Sequence, residues 1–260
     1  MSDEDARRFG GLARLYSVEG AARIRSAHVA VIGIGGVGSW VAEALARSGV
    51  SQLTLIDLDH VAESNINRQI QAVTETVGMA KVQAMRERVA SIHPGCQVHC
   101  VEEFVSEDNW PQLLTRDVDV VVDACDQVRA KVVMAAWAMH LQRPLIAVGA
   151  AGGKRLAHQV DLDDLSRVTH DPLLAQLRYQ LRRSHHAPRE GKKMGIPCVF
   201  SREAVAPPDA SCDVEGDGSL NCQGYGSVVS VTATFGMCAA GWVLDQISQG
   251  IHLKQKKFTL

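Results

Sequence analysis

The sequence predicts an α/β domain: a mostly parallel sheet with helices on both faces, followed by an α-rich C-terminal part. Three observations carry this. Strand-like and helix-like segments alternate between residues 28 and 149. Several strand segments are nearly unbroken apolar runs, such as VDVVVD at 118–123, as expected of strands buried on both faces. The stretch HVAVIGIGGVGSWVAEAL at 28–45 joins an apolar strand to a helix through a turn with four glycines.

Residues 1–27 are polar and helical in pattern. Strands are expected at 28–32, 52–57, 97–101, 118–123 and 144–149, and helices at 38–48, 79–92, 106–114 and 129–141. After about residue 155 the rhythm changes. THDPLLAQLRYQLRR opens a helix with Asp171 as N-cap and Pro172 as its first residue. SHHAPREGKKMG (184–195) is a polar, basic loop that includes His185 and His186, IPCVFS is a strand, and 206–226 is rich in turn residues. The segment 227–244, SVVSVTATFGMCAAGWVL, is a long apolar helix whose length sits at the lower limit for crossing a bilayer. Its two Ser, two Thr and two Gly favour a buried helix packed closely on another, also between subunits, over membrane association.

Composition narrows the function classes. With 27 Lys and Arg against 29 Asp and Glu, the chain is not a wholesale polyanion binder, so any nucleic-acid contact comes from a local patch. Its seven cysteines contain no C-x-x-C pair, which removes the zinc-clip spacing. The N-terminal residues lack the apolar core of a secretory signal, and reduced thiols in a cytoplasm are the expectation.

Gly33, Gly35, Gly36 and Gly38 form a turn whose backbone N–H groups can approach phosphate oxygens, with the next helix aiming its positive end at them. Asp57 ends the second strand, 19 residues past Gly38, where an acid accepts hydrogen bonds from ribose hydroxyls. The arrangement is Rossmann-like and implies a nucleotide with a free ribose. Dehydrogenases, methyltransferases and flavin enzymes share that much. The next segment discriminates. In LIDLDHVAESNINRQI (55–70), Asn65, Asn67, Arg68 and Gln69 follow Asp57 within twelve residues, and Lys81 stands near the start of the next helix. Arg68 and Lys81 supply two positive charges, which suits a triphosphate better than a dinucleotide. DACD places Asp123 and Asp126 at the carboxyl end of the fourth strand, where a carboxylate can hold Mg²⁺ against phosphate oxygens. Asp123 reads as a structural acid, and Arg129 is either solvated or within reach of the site.

The ordered set G-x-G-G-x-G, D-x-D, S-N-x-N-R-Q, K and D-A-x-D resembles the ubiquitin-activating-enzyme superfamily, which includes the MoeB and ThiF adenylyltransferases. RFGGLARLY, IGIGGVGSW, SNINRQI, DPLLAQLR, PCVFS and TATFG resemble one branch, the tRNA threonylcarbamoyladenosine dehydratases. The resemblance implies a single ThiF-type adenylating domain over 1–260, with an ATP-binding core at about 8–155 and a substrate-facing, dimerising region at about 156–260. It implies that the four glycines line the ATP phosphates, Asp57 binds the ribose, Asp59 helps order the site, Asn65 belongs to the ATP-binding set, Asn67, Arg68 and Lys81 hold the triphosphate, and Asp126 serves Mg²⁺. It also implies a homodimer in which an N-terminal arginine, Arg14 or Arg8, reaches the partner's phosphates.

For this branch the implied reaction is ATP-dependent loss of water from threonylcarbamoyladenosine in tRNA. The threonyl carboxylate becomes an acyl-adenylate, and the neighbouring carbamoyl group closes a ring as AMP leaves. The basic tract Arg178, Arg182, Arg183, Arg189, Lys192 and Lys193 is the candidate tRNA surface, joined by Lys254, Lys256 and Lys257. Tyr179 reads as a core or interface residue, with base stacking as the other reading. Cys198 reads as a small buried hydrophobe, whereas Cys212 and Cys222 stand in the turn-rich segment, open to sulfur transfer with a cysteine desulfurase system. Three alternatives remain at this point. Activation of the C-terminus of a ubiquitin-like sulfur carrier expects the missing zinc clips. A nicotinamide oxidoreductase leaves SNINRQ and Lys81 without a task. A non-catalytic protein would hold ATP as a structural ligand.

Overall fold

The computed structural model describes residues 3–114, 117–189, 191–207 and 225–250. Two short helices, α1 (Asp3–Phe9) and α2 (Leu12–Ser26), lead in, and α2 is kinked at Ser17. Strand β1 (His28–Ile32) runs into α3 (Gly38–Arg47), then β2 (Gln52–Ile56), α4 (Lys81–Ile92), β3 (Gln97–Val101), β4 (Val120–Asp123), α5 (Val128–Leu141) and β5 (Leu145–Val148). The sheet then continues through β6 (Val160–Asp164), α6 (Pro172–Ser184) and β7 (Pro197–Ser201), and α7 (Val229–Ser248) is the last described helix.

The seven strands lie in the order β3-β2-β1-β4-β5-β7-β6, all parallel except β6, which runs antiparallel to β7. Strand β1 therefore marks the point where the chain order reverses: β2 and β3 extend to one side and β4 and β5 to the other. Alternation along β1 divides the core. Val29 and Val31 face the layer built by α2, α3, α4 and α7, while Ala30 and Ile32 face α5 and α6. Both faces are covered, so the central strands are apolar throughout.

Strand and helix expectations from 28 to 149 match to within a residue or two, with one exception. Residues 106–114 form turns, not a helix. The Asn109 side chain accepts from the Ser106 N–H and donates to the Phe104 carbonyl, and Pro111 has no N–H to continue a helical ladder. Strand β6 has no counterpart among the expected strands. Its sequence, VDLDD, lacks the apolar run of its neighbours because it is a half-buried edge strand.

Asp171 caps α6 as expected, accepting from Leu174 N–H at 2.9 Å. Helix α7 packs on α3 within the chain. A Cβ at Gly236 would lie 2.6 Å from Trp40 Cβ, so the close helix–helix packing expected of this segment is made with α3. Among the described residues no helix is long and apolar enough to cross a membrane.

Candidate active site

A cavity of about 340 Å³ opens at the carboxyl ends of β1, β2, β4 and β5, at the reversal point of the sheet. It gathers Gly33, Gly35, Gly36, Asp57, Asp59, Asn65, Arg68, Gln69, Lys81 and Asp126 into one lining.

The glycine turn is held from several directions. Gly33 takes φ +85°, and a Cβ there would press on the Ala124–Cys125 peptide, so only glycine fits. Gly35 has open space where a side chain would stand. Gly38 does not line the cavity. A Cβ there would collide with the Gly33 carbonyl oxygen, so its role is close helix–turn packing. Asp57 clamps the same turn, accepting from Ile34 N–H at 2.6 Å and from Asp59 N–H at 2.9 Å. Burial raises its carboxyl above the usual value, and the Lys81 charge with these two donors works against that rise. Gln71, which the sequence reading did not single out, ties the turn from below by donating to the Ile34 carbonyl at 2.9 Å.

The polar segment after Asp57 folds over the cavity as a 3₁₀ turn at Glu63–Asn65. Asn65 is buried and its side chain accepts from Ala62 N–H. The Arg68 backbone carbonyl is held by Trp40 Nε1 of α3 and Thr232 of α7. Its guanidinium donates to Ser64 O and Asn67 Oδ1, yet Nε is buried without a partner. An orphaned cationic donor in the wall suits a phosphate oxygen. Lys81 is buried, with Nζ 2.7 Å from Asp59 Oδ2. Asn67 is corrected: it does not line the cavity, being exposed and donating to the Ser227 carbonyl, so it supports Arg68 from outside.

On the β4 side the two acids separate. Asp126 is exposed and lines the cavity. Asp123 is fully buried in an ion pair with Lys131 Nζ at 3.1 Å, which bears out its reading as a structural acid. Burial works to lower the Lys131 ammonium, but the Asp123 carboxylate beside it outweighs that and raises its value. No cluster of three metal-ligating side chains occurs among the described residues. One carboxylate beside bound phosphates is a donor set suited to Mg²⁺, which keeps much of its own water.

Cys125 also lines the cavity, but burial, with Asp123 beside it, pushes its thiol well above the usual value, so it is no thiolate nucleophile. Cys198 is fully buried, as expected. Cys212, Cys222, Lys254, Lys256 and Lys257 lie outside the described residues.

The wall beyond β4 consists of Gly149, Ala150, Ala151 and Leu173. Asp171 braces it, accepting from Ala150 N–H at 2.9 Å while a Cβ at Gly149 would collide with its carboxylate. Farther along α6, Tyr179, Arg182, Arg183 and Arg189 border a shallow recess of about 410 Å³. Tyr179 is 55% exposed, which removes the core reading. Arg183, Arg189, Lys192 and Lys193 are exposed, and Arg182 donates to the Pro188 carbonyl. Arg178 is corrected: its guanidinium donates to the Leu165 and Val168 carbonyls at 2.9 Å each, so it ties α6 to the preceding loop. Arg14 is exposed and outside the cavity of its own chain, whereas Arg8 donates to the Ile92 carbonyl.

Comparison with known proteins agrees with this architecture. The ThiF family model matches residues 10–260. A tRNA threonylcarbamoyladenosine dehydratase of Haemophilus influenzae is 42% identical over 247 residues, spanning 94% of this chain and 95% of the relative. The crystal structure of Escherichia coli tRNA N6-threonylcarbamoyladenosine dehydratase in complex with ATP superposes with a TM-score of 0.87 at 40% identity, covering 96% of this chain and 97% of that one. By contrast, an adenylyltransferase and sulfurtransferase, MOCS3 of Drosophila willistoni, is 33% identical over 135 residues, only 52% of this chain and 29% of that protein.

Proposed function

Since the chain belongs to the ThiF family, we propose that it is an ATP-dependent tRNA-modifying enzyme that dehydrates and cyclises N6-threonylcarbamoyladenosine through an acyl-adenylate. The observation that carries this reading is one cavity joining a glycine turn and a ribose-type acid to two cations, Arg68 and Lys81. A named dehydratase bound to ATP, alike over nearly the whole chain, supports it.

ATP is the co-substrate. Its phosphates sit over Gly33–Gly36 and its ribose hydroxyls donate to Asp57. A threonyl carboxylate attacks the α-phosphorus, and pyrophosphate leaves. Arg68 and Lys81, both in the cavity lining, are the fixed cations for the negative charge that gathers on the phosphates, and such donors are typically worth about 10²–10³ in rate. When bound, Mg²⁺ neutralises phosphate charge, and Asp126 is the residue that would hold it. The carbamoyl group of the same nucleoside then attacks the activated carbonyl, AMP leaves, and the net change is one water lost. Because both groups belong to one nucleoside, the closure is intramolecular and needs no protein nucleophile. This agrees with the raised thiol of Cys125.

The tRNA lies along the recess of α6, its phosphates against Arg182, Arg183, Arg189, Lys192 and Lys193, with Tyr179 free to stack on a base. A homodimer supplies Arg14 to the partner's phosphates. Leu15 and Val18, each 74% exposed beside Arg14, give the apolar surface for it. A sulfur-acceptor partnership rests on Cys212 and Cys222 alone. The sulfur-carrier alternative is not favoured, because its relative is alike over only half the chain.

The test is incubation with ATP, Mg²⁺ and tRNA bearing threonylcarbamoyladenosine, followed by mass spectrometry of the nucleosides. Loss of one water supports the reading. An unchanged mass, with adenylation of a small carrier protein instead, refutes it.

A further inference from the structure

Helix α5 carries a lysine on its buried stripe. Lys131 lies with Met134, Ala135 and Ala138 on the face packed against the sheet, and it is fully enclosed. Its three ammonium donors are all committed: to the Val148 carbonyl at 2.7 Å, the Asp123 carbonyl at 3.3 Å and Asp123 Oδ1 at 3.1 Å. Asp123 is the last residue of β4 and Val148 the last of β5. The β4–β5 ladder ends at Asp123↔Ala147. Past that point Lys131 supplies the donors that bridge the two strand ends.

Each strand end leads directly into cavity wall. After β4 come Ala124, Cys125 and Asp126, and after β5 come Gly149, Ala150 and Ala151. Asp123 Oδ1 also accepts from Cys125 N–H at 3.3 Å and from its Sγ at 3.0 Å, which fixes the turn leading to Asp126. The two walls have different neighbours. The Asp126 turn abuts the Gly33 loop and so belongs to the phosphate end. The 149–151 wall adjoins Leu173, the start of the helix that carries the basic recess two turns later, and so belongs to the acceptor end. A buried ion pair is a poor way to gain stability, since a well-packed apolar pair serves as well. Its location needs another reason.

We propose that Lys131 is a positioning residue for adenylyl transfer, setting through Asp123 the separation between the phosphate-side turn at Asp126 and the acceptor-side wall at 149–151. The inference rests on the function proposed above. Attack on the α-phosphorus needs the carboxylate in line with the departing pyrophosphate, and a misplacement of about 1 Å can cost about 10²-fold in rate. Lys131 touches neither reactant in this arrangement and acts only through the two walls.

The test compares wild type with Asp123→Asn and with the doubly neutral Asp123→Asn/Lys131→Met, which leaves no unpaired buried charge. Three quantities are read: melting temperature, ATP affinity by calorimetry, and the turnover of water loss from tRNA at saturating ATP. A positioning role predicts folded variants that bind ATP within about threefold of wild type while turnover falls about tenfold to 10²-fold. Folded variants whose turnover stays within about threefold overturn it. So does a loss of ATP affinity in proportion to turnover, or failure of both variants to fold, since either makes the pair a folding element. A wild type that leaves the tRNA mass unchanged refutes the underlying function, and this inference with it.

Discussion

Replacing Lys81 with Met separates catalysis from stability. Lys81 Nζ is 2.7 Å from Asp59 Oδ2, but the two side chains differ in exposure, 9% against 55%. Once the ammonium is gone, water can take its place around Asp59. The lost pair is then worth about 0.2–1 kcal/mol, as for exposed ion pairs. In a domain of this size that lowers the melting temperature by no more than about 4 °C. Methionine keeps most of the buried stem, so no cavity is added. Lys81 also opposes the raised carboxyl of Asp57, so that group rises further in the variant. On the reaction coordinate the loss is larger. A fixed cation facing charge that gathers only in the transition state is worth about 2.7–4 kcal/mol, or 10²–10³ in turnover. ATP affinity falls less, because ground-state phosphates are also held by the glycine turn and Arg68. The assay measures water loss from tRNA at saturating ATP, with calorimetric ATP binding and a thermal melt on the same samples. Unchanged turnover with weakened ATP binding would refute the reasoning, since Lys81 would then contribute uniform binding alone.

Two glycines of one turn respond oppositely. Gly35→Val adds its side chain in open space, so the melt is unchanged and ATP affinity falls by about 1.4 kcal/mol or more, a factor of ten in a titration. Gly38→Ala meets the Gly33 carbonyl oxygen and lowers the melting temperature instead. Removing Mg²⁺ with a chelator stops water loss, and Asp126→Ala raises the Mg²⁺ concentration for half-maximal turnover. Arg178→Ala leaves two carbonyls without a donor and destabilises by about 1–3 kcal/mol in urea titrations. Arg183→Ala and Arg189→Ala leave stability alone, weaken tRNA binding, and each reduce the slope of log affinity against log salt by about one. Asp164 gives the pH dependence. Burial alone would raise its carboxyl, but the Ser166 side chain and the N–H groups of Ser166, Met194 and Gly195 hold it below the usual value. Its contribution is therefore present above the unfolded value of about 4 and is lost as pH falls through that value toward the folded one. Asp164→Asn should destabilise at about pH 6, and the difference in urea midpoints should shrink as pH falls below about 4; a difference independent of pH would contradict the assignment.

What could be read before folding, and what could not, depends on the range of each interaction. The phosphate chemistry is written in consecutive residues, because a glycine turn, a strand-end acid and the SNINRQ segment each work through their own local backbone. The roles that shifted depend on partners far along the chain. Arg178 counts as one more positive charge in a basic tract until its guanidinium is seen closing two carbonyls of the loop before α6. Gly38 looks like its neighbours until the turn brings the Gly33 carbonyl against it. Asp123 and Asp126 stand three apart in DACD, and the sequence already reads the first as structural, but its partner Lys131 is supplied only by the folded chain. Yet Lys131 was not silent. A lysine sharing an apolar stripe with Met134, Ala135 and Ala138 costs several kcal/mol to bury unless paired. That cost predicts an acid at the end of a neighbouring strand, and at the carboxyl edge of a parallel sheet such a pair stands beside the ligand.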